Sequence, residues 1–112
     1  MILVVGDVID WRRRGRDLPQ GGGFHFVDYL DLDRSVLESI EPDIVLAPLV
    51  GIGFDALDLA ARLCRLGFRG RFRVLAPDLP NPDIVLTELR AQAPDIDCDL
   101  LQIDRPSLLR AN

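Results

Sequence analysis

The sequence predicts an α/β fold, a five-stranded parallel sheet with helices packed on both faces. Three observations carry this expectation. Two runs, at residues 2–5 and 43–49, are almost wholly apolar, as strands covered on both faces are. Between the strand candidates lie segments whose apolar residues recur at helical spacing behind a capping residue. Strand and helix candidates also alternate along the chain, the order that right-handed crossovers turn into a layered sheet.

The first strand is the run from Ile2 to Val5, ending at Gly6-Asp7. Residues 10–23 then break every periodicity with four arginines, a proline and the triplet Gly21-Gly22-Gly23, so at most a turn or two of a first helix is expected around Val8 to Arg14. Phe24 to Tyr29 alternates as a second strand. Asp33 suits the N-cap of a short helix through Ile40, which Glu41-Pro42 ends. Asp43 to Leu49 is the third strand and reads as central, and Gly51-Ile52-Gly53 is expected to be a flexible exit loop.

Asp55 can cap a helix to Leu66 whose Leu59, Leu63 and Leu66, with Ala56, Ala60 and Cys64, share one face. Gly67 is its stop. Phe72 to Ala76 is the fourth strand. Asn81 is expected as an N-cap before Pro82 in the first helical position, opening a helix to about Ala93. Asp97 to Ile103 is the fifth strand, and the residues after Arg105-Pro106 are too few for a long closing helix. The expected sheet is flavodoxin-like, with strand order 2-1-3-4-5, a reduced first helix and a truncated last one.

A chain of 112 residues that is 48% hydrophobic fits one compact domain over residues 1–112, without disulfide or metal staples. No apolar run approaches the about 20 residues of a membrane span, and the start lacks a basic leader, so a cytoplasmic protein is expected. Cys64 and Cys98 sit in apolar surroundings without a second thiol or histidine at ligand spacing, and both read as core packing. The net charge of -5 argues against general nucleic-acid binding, which depends on neutralising phosphates. All thirteen basic residues are arginine, an absence of lysine on which no function is built.

The element order and the run Pro42-Asp43-Ile44-Val45-Leu46 resemble the receiver domain of bacterial two-component response regulators. In that family the first strand ends in two acids that hold Mg2+; the matching positions are Gly6 and Asp7. The third strand ends in the aspartate that accepts a phosphoryl group, and that position falls on Pro48, which has neither a nucleophilic oxygen nor a backbone donor. The fourth strand ends in a hydroxyl residue, here Ala76. The fifth is followed by a Lys-Pro pair, near which Arg105-Pro106 stands, and arginine's fork is not a point-charge replacement for lysine. The resemblance implies a degenerate receiver acting as an interaction module without catalysis, metal or cofactor, because phosphoryl transfer needs a nucleophile and clustered charge.

Other signals are weaker. Val4-Val5-Gly6-Asp7-Val8 resembles the first strand of ribokinase-type sugar kinases and the Gly-Asp turn of metallophosphoesterases, without their further motifs. Gly21-Gly22-Gly23 precedes a strand rather than opening a helix, so a mobile loop is expected instead of a phosphate cradle. His25, the only histidine, lies among strand residues with no nucleophile near it in sequence. Asp28, Asp31 and Asp33 lack the glycine and distal glutamate of a calcium loop and read as turn and cap formers. Arg62, Arg65, Arg69, Arg71 and Arg73 read mostly as a solvated face.

Two interface candidates follow. Trp11, Arg12, Arg13, Arg14 and Arg16 form the densest positive patch, of residue types enriched at interface hot spots. Leu86, Leu89, Leu100 and Leu101 are the apolar surface that a truncated last helix leaves open to a protein partner or a second copy of the chain. The competing expectation is a small-molecule or anion site in the crevice at the carboxyl ends of strands one and three, lined by Asp7, Asp10, Gly51, Gly53 and Arg105.

Overall fold

In a computed structural model the protein is described over residues 1–6, 23–51 and 53–102. Five parallel strands form the sheet: β1 (Ile2–Gly6), β2 (Phe24–Asp28), β3 (Ile44–Pro48), β6 (Arg71–Ala76) and β7 (Asp97–Gln102), in the order β2-β1-β3-β6-β7. Between β3 and β6 lies a separate antiparallel pair, β4 (Val50–Gly51) and β5 (Phe54–Asp55). Leaving that short pair aside, the order is the 2-1-3-4-5 that the sequence predicts. The helices are α1 (Arg34–Ile40), α2 (Ala56–Arg65) and α3 (Pro82–Gln92), with a 3-10 turn at Tyr29–Asp31.

Local chemistry explains most boundaries. The Asp33 side chain accepts from the Val36 amide at 2.9 Å and opens α1. Asp55 and Asp58 form a reciprocal capping box at the start of α2: Asp55 Oδ1 accepts from the Asp58 amide at 2.8 Å, and Asp58 Oδ2 from the Asp55 amide at 3.2 Å. Gly67, at φ 87, ends α2 in a Schellman arrangement. Its amide bonds to the Cys64 carbonyl and that of Phe68 to the Leu63 carbonyl, while the Phe68 and Leu63 side chains are both buried. Asn81 does not act as expected. It makes no side-chain capping bond, and α3 begins on Pro82, whose fixed φ suits the first helical turn.

The register places Leu3, Val45, Phe72 and Cys98 in one row across four strands, with Ala47, Val74 and Leu100 in the next. These rows face Leu37 of α1, Leu59, Ala60 and Leu63 of α2, and Leu89 of α3, and together they make the core. All three described helices therefore pack on one face of the sheet. The opposite face carries Ile2 and Val4, Ile44 and Leu46, then Arg73, Leu75, Asp99 and Leu101, none of which joins that core. The reduced first helix and the truncated last one expected from the sequence fall at residues 7–22 and beyond 102, outside the described residues.

The stretch read as a flexible exit loop is a hairpin instead. Val50 pairs with Asp55 and Gly51 with Phe54, and Gly53 turns at φ 81. The Phe54 ring holds it, buried and stacked on Tyr29 with centroids 4.6 Å apart and planes 2° from parallel. Arg62 continues the stack, its guanidinium 5.1 Å from the Tyr29 centroid. The same group donates through Nε at 3.1 Å and Nη2 at 2.5 Å to the Leu32 carbonyl. Arg62 is thus a half-buried strut rather than part of a solvated face. Arg73 departs from that reading too: its side chain, 20% exposed, donates to the Asp97 carbonyl at 2.7 Å and pairs with the Asp97 carboxylate at 3.3 Å.

Candidate functional site

In open α/β sheets, ligands gather where the strands end at their carboxyl side. Here β1 ends on Gly6, β3 on Pro48, β6 on Ala76 and β7 on Gln102. Gly6 and Ala76 are buried and Pro48 is half-buried. The ends of the first two central strands lie close together: a side-chain Cβ added at Gly6 would come within 3.9 Å of Pro48 Cδ, an ordinary van der Waals distance. Pro48 pairs in register with Leu75, and Ala76 with Gln102.

Apart from the Asp28 carboxylate that ends β2 beside Gly6, these strand ends are chemically sparse. Pro48 has no side-chain oxygen and no N–H, Gly6 and Ala76 present no polar side chain, and Gln102 is a neutral amide. Behind them the hairpin is fixed by two backbone bonds, from the Leu49 amide to the Leu75 carbonyl and from the Ala56 amide to the Leu49 carbonyl, both 2.9 Å. The segment after β3 is consequently anchored both to β6 and to the start of α2. Among the described residues, no group of three or more His, Cys, Asp or Glu side chains stands close enough to hold a metal ion.

Of the residues singled out in the sequence, the structure brings Pro48 and Ala76 to the same end of the sheet, one strand apart. Gly51 and Gly53 lie in the hairpin that follows β3. Asp7, Asp10 and Arg105, and the whole patch Trp11, Arg12, Arg13, Arg14 and Arg16, lie outside the described residues. The register sets Gln102 beside Ala76, so the position facing the end of β6 is an amide, three residues before Arg105.

The second candidate surface is only partly as expected. Leu89 is fully buried, because it lies on the side of α3 turned toward the sheet, and it belongs to the core rather than to any interface. Leu86 and Leu100 are half-buried, and Leu101 is 44% exposed. Between α3 and β7 these residues help line a cavity of about 400 Å3, with Pro82, Asp83 and Asp99 around it. A second cavity, of about 410 Å3, lies near the amino ends of the strands, between Leu37, Glu41, Phe68 and Arg69. Neither is lined by Gly6, Pro48 or Ala76.

Cysteine chemistry follows burial. Cys98 is buried in the core row, and burial pushes its thiol above the usual range, with the Asp97 carboxylate beside it adding to the rise. Such a thiol is inert packing, as read from the sequence. Cys64 on α2 is half-buried against the same core. Among the described residues, no helix is long and apolar enough to cross a membrane.

No family model matches the chain. No curated protein matches it either. Among solved structures it is similar to the signal receiver domain of the response regulator NarL from Mycobacterium tuberculosis. The likeness covers 98% of this chain and 90% of that one, with a TM-score of 0.58 and 18% sequence identity. At that identity it is the architecture that is shared. The chain has the receiver-like, flavodoxin-like α/β fold, a five-stranded parallel sheet of order β2-β1-β3-β6-β7.

Proposed function

We propose that this domain is a degenerate receiver: a signalling module that binds another protein and performs no phosphoryl transfer. The observation that carries the reading is Pro48 at the carboxyl end of β3, one strand from Ala76. A receiver takes up a phosphoryl group on an aspartate at the first position and senses it with a hydroxyl at the second. Proline and alanine offer neither, and no rotamer or small shift of the backbone supplies the missing oxygen. Gly6 at the end of β1 supports the same reading, since it brings no charge to the place where a receiver clusters carboxylates around Mg2+.

Without a switch to throw, recognition rests on the outer surface. Leu101, exposed, and Leu86 and Leu100, half-buried beside the α3–β7 cavity, are apolar groups available for it.

The test is to incubate the protein with Mg2+ and acetyl phosphate and record its intact mass, then to add Mg2+ and beryllofluoride during an amide NMR experiment. The expected results are an unchanged mass and unmoved signals at Gly6, Leu49, Ala76 and Gln102. A phosphorylated species stable to buffer exchange, or saturable shifts at those positions, would sink the reading and restore phosphoryl chemistry to the strand ends.

A further inference from the structure

We propose that the free edge of β7, with the groove beside it, takes an extended basic segment of a partner protein as an added strand. This rests on the reading of the domain as a protein-binding module and gives that partner a chemistry. Among the described residues β7 pairs only with β6. The Asp97 amide points toward β6, since it donates to the Gly70 carbonyl at 3.1 Å. Amides alternate in direction along a strand, so those of Cys98, Leu100 and Gln102 point to the open side.

That open edge is guarded. The Leu100 amide donates to Oδ1 of its own neighbour Asp99 at 2.8 Å. A strand whose outward N–H is occupied by its own carboxylate is a poor template for casual pairing. Beside the edge, Pro82, Leu86, Leu100 and Leu101 give the groove an apolar lining between Asp83 and Asp99, and among the described residues no basic side chain lines it.

The charge and the alternation together specify the occupant. On one face of an added strand, apolar side chains meet Leu86 and Leu100; on the other, a cationic side chain meets Asp99. An arginine or lysine there draws Asp99 from the Leu100 amide, and the incoming backbone carbonyl takes its place. Asp99 therefore closes the edge in the free protein and recruits the ligand in the complex. A second copy fits this edge badly, because Asp97 and Asp99 share one face of β7 and two such strands side by side set like charges against each other.

The experiment probes the intact protein with an array of short peptides that alternate valine with arginine, lysine, serine or glutamate. Arginine and lysine members are expected to bind and glutamate members not. For the best binder, NMR is expected to show shifts centred on Leu86, Leu100 and Leu101. Methylating alternate peptide amides, or replacing Asp99 and Asp83 together by asparagine, is expected to weaken binding about tenfold or more.

Absence of any binder, equal binding of acidic members, or an N-methylated peptide of unchanged affinity would each overturn the proposal. So would a dimer in sedimentation that Leu101→Arg dissolves, because the edge would then belong to a second copy. Phosphoryl uptake is read separately: failure of the array with no uptake removes only this inference, whereas uptake removes the module reading whatever the peptides do.

Discussion

Replacing Gly51 by alanine tests the packing that turns the segment after β3 into a hairpin. A Cβ at Gly51 would sit 2.6 Å from Cζ of Phe54 and closer still to Cε1. Carbon atoms rest about 3.5–4 Å apart, so the ring has to withdraw by about 1 Å. It has little room, because its other face is stacked on Tyr29 and Tyr29 in turn lies against Arg62. Overpacking of this kind costs about 1–3 kcal/mol, and loosening the aromatic pair adds up to about 1 kcal/mol. Gly51→Ala is therefore expected to lose about 2–3 kcal/mol, measured by urea unfolding followed by circular dichroism.

The double mutant makes the reasoning refutable. Phe54→Ala alone is expected to cost about 3–5 kcal/mol, since the side chain is only 6% exposed. With the ring gone, the alanine at position 51 has nothing to strike. The pair is then expected to cost about as much as Phe54→Ala alone, a coupling of about 2–3 kcal/mol. Strict additivity, to within about 0.5 kcal/mol, would refute the assignment of the Gly51 requirement to the Phe54 ring.

Three further outcomes are expected. Arg62→Met keeps the apolar stem but removes both bonds to the Leu32 carbonyl and the contact with Tyr29, and should cost about 2–3 kcal/mol in the same unfolding assay; a loss below about 0.5 kcal/mol would show that the strut is idle. Glu41, the cap of α1, sits in the left-handed region at φ 50, where a side chain is strained, so Glu41→Gly should stabilise the fold by about 0.5–1 kcal/mol and destabilisation would contradict it. The raised Cys98 thiol contributes stability that is complete below the unfolded thiol value of about 8.5 and is lost as pH rises toward and through the folded value. Unfolding free energy should accordingly fall as pH rises above about 8.5, and Cys98→Ala should flatten that slope; an unchanged slope would assign it to other groups.

The signals that were legible in the chain are short-range ones. Asp33 and Asp55 mark helix starts and Gly67 a helix stop because capping involves groups within about four residues of each other. The apolar runs of β1 and β3 mark central strands because burial on both faces leaves no room for polar alternation. These signals, with the handedness of crossovers, are enough for the strand order, and they place Pro48 and Ala76 at strand ends. The part of the candidate site that rests on Asp7, Asp10, Trp11 to Arg16 and Arg105 lies beyond the described residues, so its strand-end half, Pro48 and Ala76, is what sequence and structure share.

What tertiary structure alone decided involves partners distant in the chain. Arg62 looks like one arginine among five until the Leu32 carbonyl, thirty residues away, and the Tyr29 ring claim it. Gly51-Ile52-Gly53 looks like a loose loop until the Phe54 ring seats against Gly51 and Tyr29. Leu86 and Leu89 have the same composition and nearly the same place on α3, yet only packing against the sheet buries the second and leaves the first at a groove. The pairing of Ala76 with Gln102 is likewise a matter of register. The sequence by itself determined which segments become the five strands of the main sheet and the three helices, and which chemistry the ends of β1, β3 and β6 lack, because periodicity, caps and residue identity are local. Which side chains brace the hairpin, fill the core or remain at the surface depended on the three-dimensional arrangement, because burial is a property of all the neighbours at once.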